Sequence, residues 1–400
     1  MLGYLGTGLF YPASAGSALL APGRAFLLPG RTTHGHHQIE LACESCHSSP
    51  FGGKQAMQKA CEGCHAAELK EANDTHPLRK FTDPRNADRL EKLDATLCVT
   101  CHVEHRPGIT TAMGLSLPRD LCFHCHAEIA EDRPSHAGMG FETCNSAGCH
   151  KFHDNRALYE DFLAKHLDDP PLLVSRILPA RKLPEQKPVP VPDAKANPAV
   201  VRDWLETAHA KAGVNCSGCH GTPWQERPTQ AACKECHAPE VKGFLAGKHG
   251  MRIAAGLPPM TPALARREMR SEAGHRALGC TSCHAAHRFD TQKAAAKACV
   301  GCHRGPHIED YAKSAHAANG VTCASCHLPR VEWHDEDLGV KRILVQHNQS
   351  ETLEPSEKMI RPVCLHCHGL GFSIDALAGR KVASLDMVRK RLLTRERSRK

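Results

Sequence analysis

Ten times in 400 residues the chain places Cys-x-x-Cys directly before His, and an eleventh, stretched copy takes the remaining cysteines. The pairs are Cys43/Cys46, Cys61/Cys64, Cys98/Cys101, Cys122/Cys125, Cys216/Cys219, Cys233/Cys236, Cys280/Cys283, Cys299/Cys302, Cys323/Cys326 and Cys364/Cys367. The histidines behind them are His47, His65, His102, His126, His220, His237, His284, His303, His327 and His368. The stretched copy sets Cys144 and Cys149 before His150. Two thiols on one tight turn can form thioethers to the two vinyl groups of a haem, and the adjacent imidazole then reaches the iron as proximal ligand. All 22 cysteines are thereby assigned, which predicts eleven covalently attached haem c groups. A zinc ribbon also uses Cys-x-x-Cys pairs but has no reason to set His behind every one. A disulfide framework suits the even count but not that histidine.

Cofactors in this number constrain the fold. Only 4% of residues are aromatic, which is poor for a core of this size. With roughly 36 residues per haem, the macrocycles must form much of the core, wrapped by short helices and loops. The expected class is mainly α, with much irregular structure and few strands, and the haem-free chain should be largely unfolded. Haem attachment of this kind occurs outside the cytoplasm, so a periplasmic or otherwise extracytoplasmic location is expected. Residues 1–30 read as an export signal or the remnant of a membrane anchor. Residues 1–23 carry no charged side chain, and Ala13-Ser14-Ala15 offers a cleavage site, but a basic leading region is missing. No other segment approaches the roughly 18–20 apolar residues of a membrane span.

The formal charge of +8 is misleading. Each ferric haem, with two propionates, brings a net charge of −1, so eleven turn +8 into about −3. The tail, residues 380–400, is the exception: nine basic side chains stand there against Asp386 and Glu396. Such a tail suits an acidic partner or an anionic membrane face, although a solvated charge run is the commoner outcome.

The chain also repeats itself. His36 and His209 each lie seven residues before a first motif cysteine, Cys43 and Cys216. Two motifs follow closely in each half, then a lone histidine, His76 or His249. Next comes one phrase in two versions, CVTCHVEHR from Cys98 to Arg106 and CTSCHAAHR from Cys280 to Arg288. A fourth motif, a lone His136 or His316 and a fifth motif complete each half, which closes on His153-Asp154 or His334-Asp335. The repeat organises the chain as tandem five-haem units with one haem added. It nominates ten distal ligands: His36, His76, His105, His136, His153, His209, His249, His287, His316 and His334. The eleventh haem, at Cys364, needs one more; His347 is the first choice, with His275 and His307 as alternatives. His37 competes with His36, and His34 and His166 stay unassigned. The methionines Met113, Met139, Met251, Met260 and Met269 have no counterparts between halves, so Met/His ligation has little support.

The resulting boundaries are 31–167 for the five-haem unit, 168–200 for a linker and 201–379 for a six-haem unit. The linker holds eight prolines and should be a semi-rigid extended spacer. Helical spacing appears over Asn155–His166, Ala199–Lys211, Thr261–Glu272 and Ser384–Leu393.

The first unit, with paired motifs, lone histidines and one Cys-x4-Cys-His, resembles the tetrahaem class III cytochromes c and their larger multihaem relatives. The second is similar to the electron-transfer parts of the hydroxylamine oxidoreductase and multihaem nitrite reductase superfamily. That likeness rests on Ser314-Ala-His316, Gly320-Val-Thr-Cys323 and Arg361-Pro-Val-Cys364. The resemblances span about residues 34–379. They imply closely packed bis-histidine haems and low-potential electron transfer between redox-partner proteins, such as a membrane quinol oxidase or another cytochrome. Nucleic acid is not an expected partner. Two departures bear on catalysis: no motif ends in Lys, and only Tyr159 and Tyr311 lie beyond the N-terminal segment, neither in a cross-linking context. The expectation is therefore an electron carrier with no catalytic residue. The alternatives are an oxidoreductase of a small nitrogen or sulfur compound with one five-coordinate haem, and a filament-forming haem protein.

Overall fold

Cysteines three residues apart dictate the local structure. In the computed structural model, the histidine N–H of a motif bonds the carbonyl of its first cysteine: His47 to Cys43 (2.8 Å), His102 to Cys98 (2.9 Å), His284 to Cys280 (2.9 Å), His368 to Cys364 (2.8 Å). Such a bond closes one α-turn, puts both thiols on one face and sets the imidazole beside them. The structure describes residues 26–49, 52–110, 114–118, 120–133, 136–141, 144, 152–154, 160–173, 187–335, 339–353 and 359–378. The export segment up to residue 25, the tail from 379, Cys149, His150, Met113, Tyr159 and the Ser384–Leu393 helix lie outside them.

The principal elements are α1 (Gly53–Glu71), α2 (Glu160–His166), α3 (Pro198–Leu205), α4 (Ala208–Lys211), α5 (Gln230–Ala246), β1 (Arg330–Asp335), β2 (Val340–Val345) and α6 (Leu370–Ala378). Single turns such as Cys98–Cys101, Cys216–His220 and Cys323–His327 carry motifs between them. The chain is thus mainly helical with much irregular structure and one two-stranded antiparallel sheet, in register from Arg330↔Val345 to Asp335↔Val340. α1 and α5 each hold a motif in mid-helix. α5 kinks at His237 (φ −120°, ψ 37°), two residues before Pro239, which cannot donate to the helix ladder.

Two of the expected helices come out differently. Ala199–Lys211 divides into α3 and α4, because Thr207 is extended (φ −81°, ψ 156°) and its Oγ1 accepts from Ala210 N–H (3.1 Å). Thr261–Glu272 is not a helix: short 3-10 turns at Pro262–Leu264 and Ser271–Ala273 flank extended backbone. Arg270 N–H is drawn to the Cys302 carbonyl (2.9 Å), a pairing that a helix would forbid. Of Asn155–His166, the described part is α2.

The chain forms two compact units, Met1–Ile177 with Leu353–Lys400, and Leu178–Thr352. The eleventh motif is expected with residues 201–379; the structure gathers it into the first unit. The reason is apolar packing: Leu163 and Leu167 around α2 bury against Ile360, Leu365, Leu370 and Ile374, with Met139 and Phe162 against them. Each fully buried side chain of this kind stabilises by about 1.5–3 kcal/mol. Within the second unit, the end of the proline-rich stretch is laid along the sixth motif. Asn215 Nδ2 donates to the Val191 carbonyl (2.7 Å), and Ser217 N–H to Asp193 Oδ1 (3.2 Å).

Candidate functional site

Proximal histidines face a second imidazole across a gap of constant width. In the first unit the ring centroids stand 6.5 Å apart for His47 and His105, 5.9 Å for His65 and His36, 6.4 Å for His102 and His153, and 6.1 Å for His126 and His76. In the second they stand 6.0 Å apart for His220 and His287, 5.9 Å for His237 and His209, 6.4 Å for His284 and His347, 6.1 Å for His303 and His249, and 5.8 Å for His327 and His307. Two imidazoles on one iron stand about 6 Å apart, the sum of two metal–nitrogen bonds of about 2 Å and two half-rings of about 1 Å.

The ring nitrogens are sorted as such a role requires. A metal-bound imidazole commonly donates its other N–H to a carbonyl or carboxylate, which fixes tautomer and orientation. Here that nitrogen is Nδ1. It donates to a backbone carbonyl from His102 (Gly114, 2.9 Å), His105 (Gly30, 2.8 Å), His76 (Phe152, 2.7 Å), His220 (Gln225, 2.6 Å), His327 (Thr352, 3.1 Å), His347 (Val345, 2.9 Å) and His368 (Pro171, 2.9 Å). It donates to a carboxylate from His36 (Glu104, 2.6 Å), His65 (Glu68, 3.0 Å) and His153 (Asp74, 3.2 Å). Nε2 is the nitrogen that would take an iron. Burial pushes His76, His102, His209, His284, His303, His327 and His347 below the ordinary imidazole range, and His249 down to about 4. The neutral form, which binds metal, is therefore favoured.

The repeated phrase shows how local sequence aims an imidazole. After Cys98–Cys101 and Cys280–Cys283 the chain leaves the helix, and His105 (φ 62°) and His287 (φ 61°) both enter the left-handed region. That conformation is uncommon for a residue with a Cβ and costs on the order of 1–3 kcal/mol. Its occurrence at both matched positions marks a placement held by the surroundings. At His105 the close partner is Gly30, where an added Cβ would sit 2.6 Å from the His105 carbonyl oxygen.

Seven of the ten repeat-matched histidines stand opposite a proximal ring: His36, His76, His105, His153, His209, His249 and His287. His136 precedes the stretched motif, whose His150 is not among the described residues. In the second unit, however, the ring facing His284 is His347, and the ring facing His327 is His307. The expectation puts His347 at the Cys364 haem, with His307 as an alternative there. His334 sits on β1 and faces no histidine among the described residues, and His316 lies in the short helix Ala315–Ala318. The physical cause is the hairpin: β1 and β2 carry the chain past His334 before it returns over α5 at Gly243 and Gly247. A Cβ on Gly247 would stand 2.8 Å from the His347 carbonyl oxygen. The eleventh proximal residue, His368, stacks on Phe372 at 4.6 Å. Met139 packs in the apolar cluster, Met260 is buried, and Tyr311 donates its hydroxyl to the Val321 carbonyl (2.6 Å).

Thiols from successive motifs meet. The first cysteines hydrogen-bond in pairs, Cys61 with Cys98 and Cys122 with Cys144, and in the second unit Cys233 with Cys280 and Cys299 with Cys323. Burial, and then the neighbouring Cys233 and Cys236 thiols, push the Cys219 thiol up; burial and then Cys302 do the same to Cys283. Motifs adjacent in sequence are thus adjacent in space.

Both thiols of a motif are expected at one haem, and the structure places them unequally. Cys64 and Cys125 are exposed, whereas their first cysteines, Cys61 and Cys122, are half-buried. The turn itself does not separate them, because three residues along an α-helix leave two side chains only about 60° apart; the difference comes from the neighbouring motif. Cys61 and Cys122 meet the first thiols of neighbouring motifs, and Cys64 and Cys125 stay on the open side. Cys101, Cys219, Cys302, Cys326 and Cys367 depart from this pattern, each half-buried like its first cysteine, and Cys323 and Cys326 both stand near Tyr311. The pairing of thiols thus brings together first cysteines, and the roles of Cys64, Cys125 and Cys326 rest on their motifs.

These residues fit haem c: a thiol pair on a turn, an imidazole beside it, and a second imidazole at the right distance on the opposite side. Among the described residues no three His, Cys, Asp or Glu side chains gather to hold a single ion. Residues 35–127 match the cytochrome c3 family, and residues 232–296 match the cytochrome c554 and c-prime family. A cytochrome c-552 of Haemophilus ducreyi is 27% identical over 136 residues, covering 26% of this chain and 27% of its own length. The chain therefore spans about a quarter of that relative. No solved structure matches.

Proposed function

The chain is a multihaem c-type cytochrome, and from that premise we propose that it carries electrons between redox partners through eleven haems with two axial histidines each. Nine facing imidazole pairs at 5.8–6.5 Å support this reading above all else. Bound haem supplies one-electron chemistry at its iron, cycling between the ferric and ferrous states. The protein's part is to hold and tune. Cysteine turns would fix each macrocycle edge, and Nδ1 hydrogen bonds lock the imidazole planes where they form, as at His36, His105 and His347. The meeting of Cys61 with Cys98 and of Cys233 with Cys280 would set the haems held by those motifs close enough for electrons to pass between them. c-type cytochromes are extracytoplasmic, and no helix among the described residues is long and apolar enough to cross a membrane. A periplasmic site of action, and docking of the basic tail on a membrane quinol oxidase or another cytochrome, belong to the same proposal.

Intact mass with low-temperature EPR of the oxidised protein tests it. The mature protein should exceed its polypeptide mass by eleven haems, and every iron should be low-spin. Eight haems or fewer would sink the assignment. A full high-spin ferric haem would instead favour the oxidoreductase of a small nitrogen or sulfur compound.

A further inference from the structure

Glu104 lies in the repeated phrase, two residues beyond the proximal His102, yet it serves neither haem that the phrase ligates. Its Oε1 accepts the Nδ1 proton of His36 at 2.6 Å and the Thr33 hydroxyl at 2.8 Å, while Oε2 accepts Thr33 N–H at 2.7 Å. His36 faces His65, whose own Nδ1 donates to Glu68 at 3.0 Å. Both imidazoles of the Cys61/Cys64 site are therefore bonded to carboxylates, which none of the other facing pairs shows among the described residues.

The second unit supplies the control. In CTSCHAAHR the position of Glu104 is Ala286. The counterpart of His36 is His209, and its Nδ1 is buried with no hydrogen-bond partner among the described residues. The counterpart of Glu68 is Glu240, which stands 3.7 Å from His237 Nδ1, outside hydrogen-bond range. The two sites share the motif, the helix and the facing ring (5.9 Å in each), and differ in what holds the far nitrogens.

We infer that Glu104, together with Glu68, makes the Cys61/Cys64 haem the low-potential member of the pair it forms with the Cys233/Cys236 haem. A carboxylate on the imidazole N–H draws that proton away and makes the ligand a stronger electron donor. It thereby favours ferric over ferrous iron. One electron enters per haem on reduction, from the titrant or a redox partner, and no bond to Glu104 breaks. Glu104 is a positioning and tuning residue; it does not touch the iron. The inference rests on the bis-histidine reading and deepens it.

The test is a redox titration of the intact eleven-haem protein, with EPR of the oxidised form. Glu104→Gln keeps the acceptor and removes the charge. It should raise the potential of one haem at the low end by about tenfold in the ferric–ferrous ratio, ~59 mV for one electron. It should also shift one set of low-spin g-values, while haem count and low-spin state stay unchanged. Glu104→Asp should restore part of the shift. Ala286→Glu should move one haem of the second unit the opposite way, and it keeps the test alive should Glu104 variants fold poorly. Unchanged midpoints and g-values in both Glu104→Gln and Ala286→Glu would overturn the tuning role. His36→Ala separates the two ideas: if it produced no high-spin haem, the ligand assignment itself would fall.

Discussion

In the first unit His36, His65 and His153 hand their Nδ1 protons to Glu104, Glu68 and Asp74. In the second, the counterparts of the first two lack such bonds: His209 Nδ1 is buried with no hydrogen-bond partner among the described residues, and Glu240 stands 3.7 Å from His237 Nδ1. The gap between facing rings is the same in both, so the geometry that would hold an iron has been kept while its electrostatic surroundings have changed. The facing of two imidazoles and the holding of their far nitrogens are therefore separable in this molecule. The anchoring differs too. His209 rides on α4, capped by Thr207 and set beside Trp204, whose Nε1–H donates to the Val214 carbonyl (3.2 Å). His36 precedes a 3-10 turn with no side-chain cap and is held by Glu104 instead.

The sharpest way to break the comparison is at His347, the ring that faces His284. His347→Ala should convert one whole haem from low-spin to high-spin, whereas His334→Ala should leave every haem low-spin. Should His334→Ala give the high-spin signal instead, the repeat would hold and the hairpin argument would fail. A smaller effect is expected where backbone passes over glycine. In Gly247→Ala the new Cβ would lie 2.7 Å from Gln349 Oε1, and in Gly30→Ala 2.6 Å from the His105 carbonyl oxygen. Overpacking of this kind costs about 1–3 kcal/mol. Thermal melts followed at the haem band should show both losses, in different units. The smallest effect belongs to the cap: Thr207→Ala should cost about 1 kcal/mol. A melting temperature equal to wild type would mean that Trp204, rather than the cap, holds α4.

Much of this was legible without a structure. A motif of two cysteines and a histidine closes its own turn, so the proximal histidines are determined within five residues. His105 and His287 were equally readable, because three residues separate each from His102 or His284 and the phrase recurs whole. Glu104 left a readable trace as well: it is an acidic residue standing where the second phrase has Ala286. Matching the phrases by their histidines passes over it. The unequal exposure of Cys61 and Cys64, or of Cys122 and Cys125, left no trace, because the motif writes both thiols alike and only the neighbouring motif's position tells them apart.

The rings that face His284 and His327 could not be read this way, because a facing ring is chosen by where a distant segment returns. A hairpin of twelve paired residues carries the chain beyond His334, and the glycines at 243 and 247 let it return over α5 with His347 in place. The membership of the Cys364 motif was equally hidden. Its position in the chain favoured the second unit, whereas the burial of Leu365, Leu370 and Ile374 against Leu163 and Leu167 put it in the first. Sequence alone determined what is local and covalent, namely the cysteine turns and their adjacent imidazoles. Tertiary structure decided which imidazole faces which and what holds its far nitrogen, because those contacts join residues as far apart as 36 and 104 and depend on the packing of everything between them.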